Sequence, residues 1–156
     1  MKSISTLIVT LTALLSVNAS YARTDTFCKT IRSFAASVKP DEKRYIEFHT
    51  SWGSNFSDSS DPAVFAKRCL DNEYAPGKAV CDYLLEYGSA EFASRNAERV
   101  IHCLFPKTKL DAMLLLNKID ASFSYGKGNK SSIIHISFDK AAYAGGNVLK
   151  ITAEGY

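Results

Sequence analysis

Apolar residues along this chain keep a helical spacing for its first hundred positions, one strand aside, and then switch to strict alternation. From Thr24 to Val38, Phe27, Ile31, Phe34, Ala35 and Val38 recur at helical spacing with Lys29, Arg32 and Ser33 between them. Pro40 and Asp41 end that helix. Lys43 to Trp52 interleaves Tyr45, Ile46, Phe48, Thr50 and Trp52 with polar residues, which suits a strand. Gly53 to Ser60 is dense in turn formers and predicts a loop.

Asp61-Pro62 has the signature of a helix start: Asp caps free backbone N–H groups, and Pro in the first turn loses nothing by lacking its own. The spacing predicts a helix here, with Val64, Phe65, Cys69 and Leu70 on its apolar side. Ala75-Pro76-Gly77 reads as a break, followed by a short helix from Lys78 to Tyr87 with Val80, Cys81, Leu84 and Leu85 inward. Gly88 stops it. Ser89 caps a further helix to about Leu104, buried through Ala93, Ala97, Val100, Ile101 and Leu104, and Pro106 closes it. Thr108 to Asn117 fits a helical turn or a strand equally well.

From Lys118 the period is two. Ile119, Ala121, Phe123 and Tyr125 share a face, as do Ile134, Ile136 and Phe138, and then Leu149, Ile151 and Ala153. Gly-rich turns at Gly126–Asn129 and Ala144–Asn147 separate them, giving a three-stranded meander. The expected fold class is α+β. A single small domain would pack a four-stranded antiparallel sheet, one N-terminal strand plus the C-terminal meander, on about four short helices, since each amphipathic element must bury its apolar side.

The first 22 residues stand apart from this pattern. Lys2, the apolar run Leu7–Leu15 and the small-residue exits at Ala19 and Ala22 are the three parts of a secretory signal. The run is too short, and too interrupted by Ser and Thr, for the ~20 residues that span a bilayer. The expected division is therefore a signal peptide, 1–22, and one mature domain, 23–156. Cleavage removes only Lys2, so the 19 basic residues fall to 18 against 16 acidic ones. A balance that even gives no footing for nucleic acid or an anionic membrane.

All four cysteines lie in the mature part, and an even set in an exported chain reads as two disulfides. Loop-closure cost favours Cys69–Cys81 and Cys28–Cys103 over the alternative Cys28–Cys69 and Cys81–Cys103. Zinc is disfavoured because no C-x2-C or H-x3-H spacing occurs, and His49, His102 and His135 are far apart. Paired cysteines leave no free thiolate nucleophile, G-x-S-x-G is missing, and neither Gly pair precedes a helix as a phosphate loop would. No cofactor is expected.

What remains is surface. The loop Asp58-Ser59-Ser60-Asp61 lacks the ligand alternation of a calcium site and reads as a turn ending in a cap. Aromatics beside polar loops are common anchors of protein contacts, which makes Trp52, Phe56, Asp58, Tyr125 and Tyr143 the binding candidates, although tryptophan's high average burial favours the core for Trp52. A periplasmic protein-binding module, an inhibitor or immunity protein against a toxic, for example cell-wall-degrading, enzyme, is the leading expectation. The layout is similar to that of immunity proteins against cell-wall-attacking effectors, a likeness of architecture and compartment. A small secreted hydrolase with a scattered His/carboxylate site, or an envelope accessory protein, are the alternatives. Asn55-Phe56-Ser57 and Asn129-Lys130-Ser131 match the N-glycosylation pattern, which keeps a eukaryotic secreted origin open.

Overall fold

A computed structural model describes residues 26–108, 117–128, 131–141 and 145–156. The signal segment, most of the ambiguous stretch 108–117, and Tyr143 lie outside the described residues. Residues 26–37 are helical (α1). The order then runs β1 (Lys43–Trp52), β2 (Phe65–Leu70), α2 (Ala75–Tyr87), α3 (Ser94–Leu104), β3 (Ile119–Tyr125), β4 (Ser132–Lys140) and β5 (Asn147–Gly155).

The five strands form one antiparallel sheet in the order β2-β1-β5-β4-β3. The C-terminal meander is present as the alternation requires, and β1 adds to it along β5. One row of side chains, Ile46–Ile151–Ile136–Ala121, crosses four strands, and Phe48–Leu149–Phe138–Ile119 crosses the same four beside it. Most of these side chains are buried, under the helices. Phe27, Ile31, Phe34 and Ala35 of α1 and Ala97, Val100, Ile101 and Leu104 of α3 close the core from above. The buried Ser132 hydroxyl donates to the Ala35 carbonyl (2.9 Å), fixing α1 over β4. α2 packs instead on β1 and β2.

The fold class is α+β, but with five strands where four were expected. The helix expected from Asp61-Pro62 is β2. Residues i and i+4 share a face in a helix and in a strand alike, so Phe65 and Cys69 fit both readings. Long-range pairing decides. β1 without β2 would expose a bare edge, and Cys69 is held to Cys81 of α2. The proline at 76 also reverses its expected meaning: it lies in the first turn of α2 and starts that helix. Ser89 caps a turn before α3 by accepting the Phe92 N–H (2.9 Å), so α3 begins at Ser94.

The disulfides are Cys28–Cys103, joining α1 to α3, and Cys69–Cys81, joining β2 to α2. This is the pairing that loop closure favours. The link between β4 and β5 depends on Gly146, which has φ +77° and where a Cβ would collide with the Thr50 carbonyl.

Candidate functional site

The hydrogen bonding of the β1–β2 hairpin determines which side chains meet at its end. The Gly53 N–H donates to the Val64 carbonyl (2.8 Å), making 53 and 64 a closely bonded pair. Ladder alternation then makes Trp52 and Phe65, which face each other in register, a non-bonded pair, the kind whose side chains approach most closely. Their rings stack with centroids 6.4 Å apart. Trp52 has the parity of the buried Ile46, Phe48 and Thr50, yet it is 52% exposed, and Phe65 is 53% exposed. The average burial of tryptophan therefore misleads here. α2 ends with Gly88 against the Phe48 ring and with the Leu85 carbonyl accepting from the Lys67 ammonium (3.0 Å). The aromatic pair lies beyond this cover. The half-exposed Leu85 lies on the helix whose carbonyl Lys67 bonds, while Val64, 70% exposed, has the opposite parity to Phe65.

The loop from Gly53 to Val64 does not project. Phe56 is 4% exposed, with the Arg68 guanidinium 4.8 Å over its ring. Arg68 also grips Asp58 with two nitrogens (2.8 and 2.9 Å), holding the Asp58 carboxyl below its ordinary range. The Asn55 amide donates to the Ser59 hydroxyl and the Asp61 carbonyl (3.0 and 2.9 Å), and its oxygen accepts from the Phe56 N–H. The expected exposure of Phe56 needs correction. Phe56 is an internal plug and not an exposed anchor, because Arg68 and the folded-back loop already cover it. Asp58 braces that loop through Arg68 with its side chain 55% exposed. The Asn55 nitrogen donates twice within the loop, and a glycan on it would remove one of those two hydrogens.

Trp52, Phe56 and Asp58 thus gather at one end of the sheet. Tyr125 sits on β3, the opposite edge strand, half-buried against the core. Phe65, Lys67 and Leu85 complete the surface and were missed, since a helical reading of 61–70 turned Phe65 inward. The local run Phe65-Ala66-Lys67-Arg68-Cys69-Leu70 carries no apolar–polar alternation that would have revealed them.

The open face of the sheet carries His49 and His135. Glu47 accepts from the Lys150 ammonium (2.6 Å) and lies 3.5 Å from His49 Nε2. The Lys150 bond, against an opposing effect of burial, lowers the Glu47 pKa. Farther across, His135 Nδ1 lies 2.8 Å from the Ser122 hydroxyl and its Nε2 lies 3.4 Å from Asp120. Serine, histidine and carboxylate are thus in contact. They are also the cross-strand neighbours that the β3–β4 register places together, on side chains open to water. The neighbouring β4 backbone is committed to its two flanking strands, so it offers no set of N–H donors aimed at an oxyanion. His102 is exposed on α3. Among the described residues no group of three or more His, Cys, Asp or Glu is placed to hold a metal ion, and no helix is long and apolar enough to cross a membrane.

No protein-family model matches the chain, and no curated protein or solved structure is significantly similar to it.

Proposed function

We propose that this domain is a small periplasmic protein-binding module, an inhibitor or immunity protein that neutralises a toxic enzyme by direct contact. The observation that carries the reading is the stacked, half-exposed Trp52–Phe65 pair. Leaving two large rings in water is unfavourable unless a partner covers them, and contiguous exposed apolar surface rimmed by polar residues marks contact sites. The pair stands on a rigid base. β2 is tied to α2 by Cys69–Cys81, and the adjoining loop is braced by Arg68, so little conformational freedom would be lost on binding. The signal-like N-terminus and the two disulfides support an exported setting.

The test is capture from periplasmic extract on immobilised wild-type, Trp52→Ala and Phe65→Ala protein, followed by titration of the captured partner. Either substitution should weaken binding by about 2 kcal/mol, the scale of a hot spot, with the fold intact. Unchanged affinity in both folded variants would remove this surface from consideration.

The Ser122–His135–Asp120 contact supports a second reading, a secreted hydrolase. Its discriminator is ester hydrolysis by the purified protein: activity abolished in both Ser122→Ala and His135→Ala would favour it over binding.

A further inference from the structure

The outer edge of β2 has no strand paired to it among the described residues, and its pattern is specific. Since Gly53 and Val64 form a bonded pair, the pairs 51/66, 49/68 and 47/70 are bonded as well. The N–H and C=O groups of Phe65, Lys67 and Cys69 therefore point away from β1. β2 is the terminal strand of the sheet, and among the described residues none partners these groups. Three consecutive outward positions form a ladder that an added strand would complete.

We infer that β2 receives an extended strand from a different protein, antiparallel to it, with an acidic residue opposite Lys67 and an apolar residue opposite Phe65. This rests on the binding-module reading and names how the partner is held. Residues directly opposite across a ladder share a face. An apolar residue opposite Phe65 would extend the Trp52–Phe65 row to a third strand, and a carboxylate opposite Lys67 would compete with the Leu85 carbonyl for its ammonium.

Charge decides between a foreign strand and a second copy. The two-fold pairing of β2 with itself that uses all three outward positions sets Phe65 against Cys69 of the copy and Lys67 against its own equivalent. Like charges directly opposite disfavour that register, and a lysine on an edge strand is a common guard against self-association. The same lysine attracts a strand of complementary charge.

The experiment uses the oxidised exported chain and a capped peptide in which valine, glutamate and valine alternate with threonine. Binding is followed by NMR together with amide exchange at Phe65, Lys67 and Cys69. The expected result is slowed exchange at those three amides on titration, and at least about fivefold weaker binding of the same peptide with lysine at its centre. Lys67→Glu should reverse that preference. Lys67→Gln, which keeps the backbone ladder, should abolish it. Exchange unaffected by peptide up to millimolar concentration, or equal affinity for both peptides in the wild type, would overturn strand addition. So would a free protein that sediments as a dimer with these amides already protected, since the occupant would then be a second copy. If Trp52→Ala lowers partner capture while the peptide has no effect, the surface reading stands and the strand-addition inference alone falls.

Discussion

Cys28–Cys103 and Cys69–Cys81 tie together two regions built on different terms. The first joins α1 to α3 over β4 and β5, where Phe27, Ile31, Val100, Ile134, Ile136 and Ile151 are essentially inaccessible to water. The second joins β2 to α2 at the sheet's end, where Phe65, Leu70 and Leu85 remain substantially exposed. The first region is held by burial and gains a covalent tie in addition. The second leaves much of its edge strand exposed, and there the bond ties β2 directly to α2. Where hydrophobic burial is complete, structure follows from it. Where it is incomplete, a covalent bond and a braced loop take over.

The comparison can be broken by removing each bond in turn. Replacing Cys28 and Cys103 together by Ala should cost about 4.5 kcal/mol by loop-closure entropy, and replacing Cys69 and Cys81 about 3 kcal/mol. Denaturant unfolding of both variants checks the order; a larger loss from the short loop would mean that the β2–α2 region carries more of the fold than its exposure suggests.

The contrast between neighbouring aromatics is sharper. Phe56→Ala should lower stability by about 3 kcal/mol, because it empties a closed site beneath Arg68. Trp52→Ala should change stability by no more than about 0.5 kcal/mol, as surface substitutions do. Equal thermal shifts in the two variants would show the aromatic roles to be misassigned.

The smallest effect concerns the open face. Glu47 titrates below its ordinary range when folded, chiefly through its hydrogen bond from Lys150. A carboxylate with a depressed folded pKa adds stability above its unfolded pKa, and that stability is lost as pH falls through the folded value. The contribution should be about 0.5–1 kcal/mol, the scale of an exposed pair, since Lys150 is well solvated. It should be present at pH 7 and fade below about pH 4.5. Lys150→Met should flatten this part of the stability–pH curve. An unchanged acid slope in that variant would remove Glu47 from the account.

The same division decided how much could be read in the sequence. β3, β4 and β5 were legible because each buries one full face, so that Ile134, Ile136 and Phe138 had to alternate with Ile133, His135 and Ser137. α1 was legible for the equivalent reason at helical period. β2 was not: Phe65 and Cys69 are four apart, a spacing that both periods accept, while Asp61-Pro62 supplied a helix start with no helix behind it. Trp52 and Phe56 were illegible in opposite senses. Whether a side chain is covered depends on where α2 stops and how the loop folds back, and neither is encoded in the local pattern. The contact of Ser122 with His135 depends on strand register, which single-strand periodicity does not specify.

β5 lies at the centre of the sheet between β1 and β4, yet it is the last of the five strands to be made. The Glu47–Lys150 bond links positions separated by 103 residues. A chain synthesised or threaded from its N-terminus delivers the β1–β2 hairpin, α2 and both disulfide pairs long before the strand that unites the two halves. Until then Ile46, Phe48, Ile134 and Ile136 have no continuous sheet to join, and pairing at such sequence separation is intrinsically slow. Assembly of this domain is therefore a late, closing event: the strand inserted last is the one that turns two separate ribbons into a single sheet.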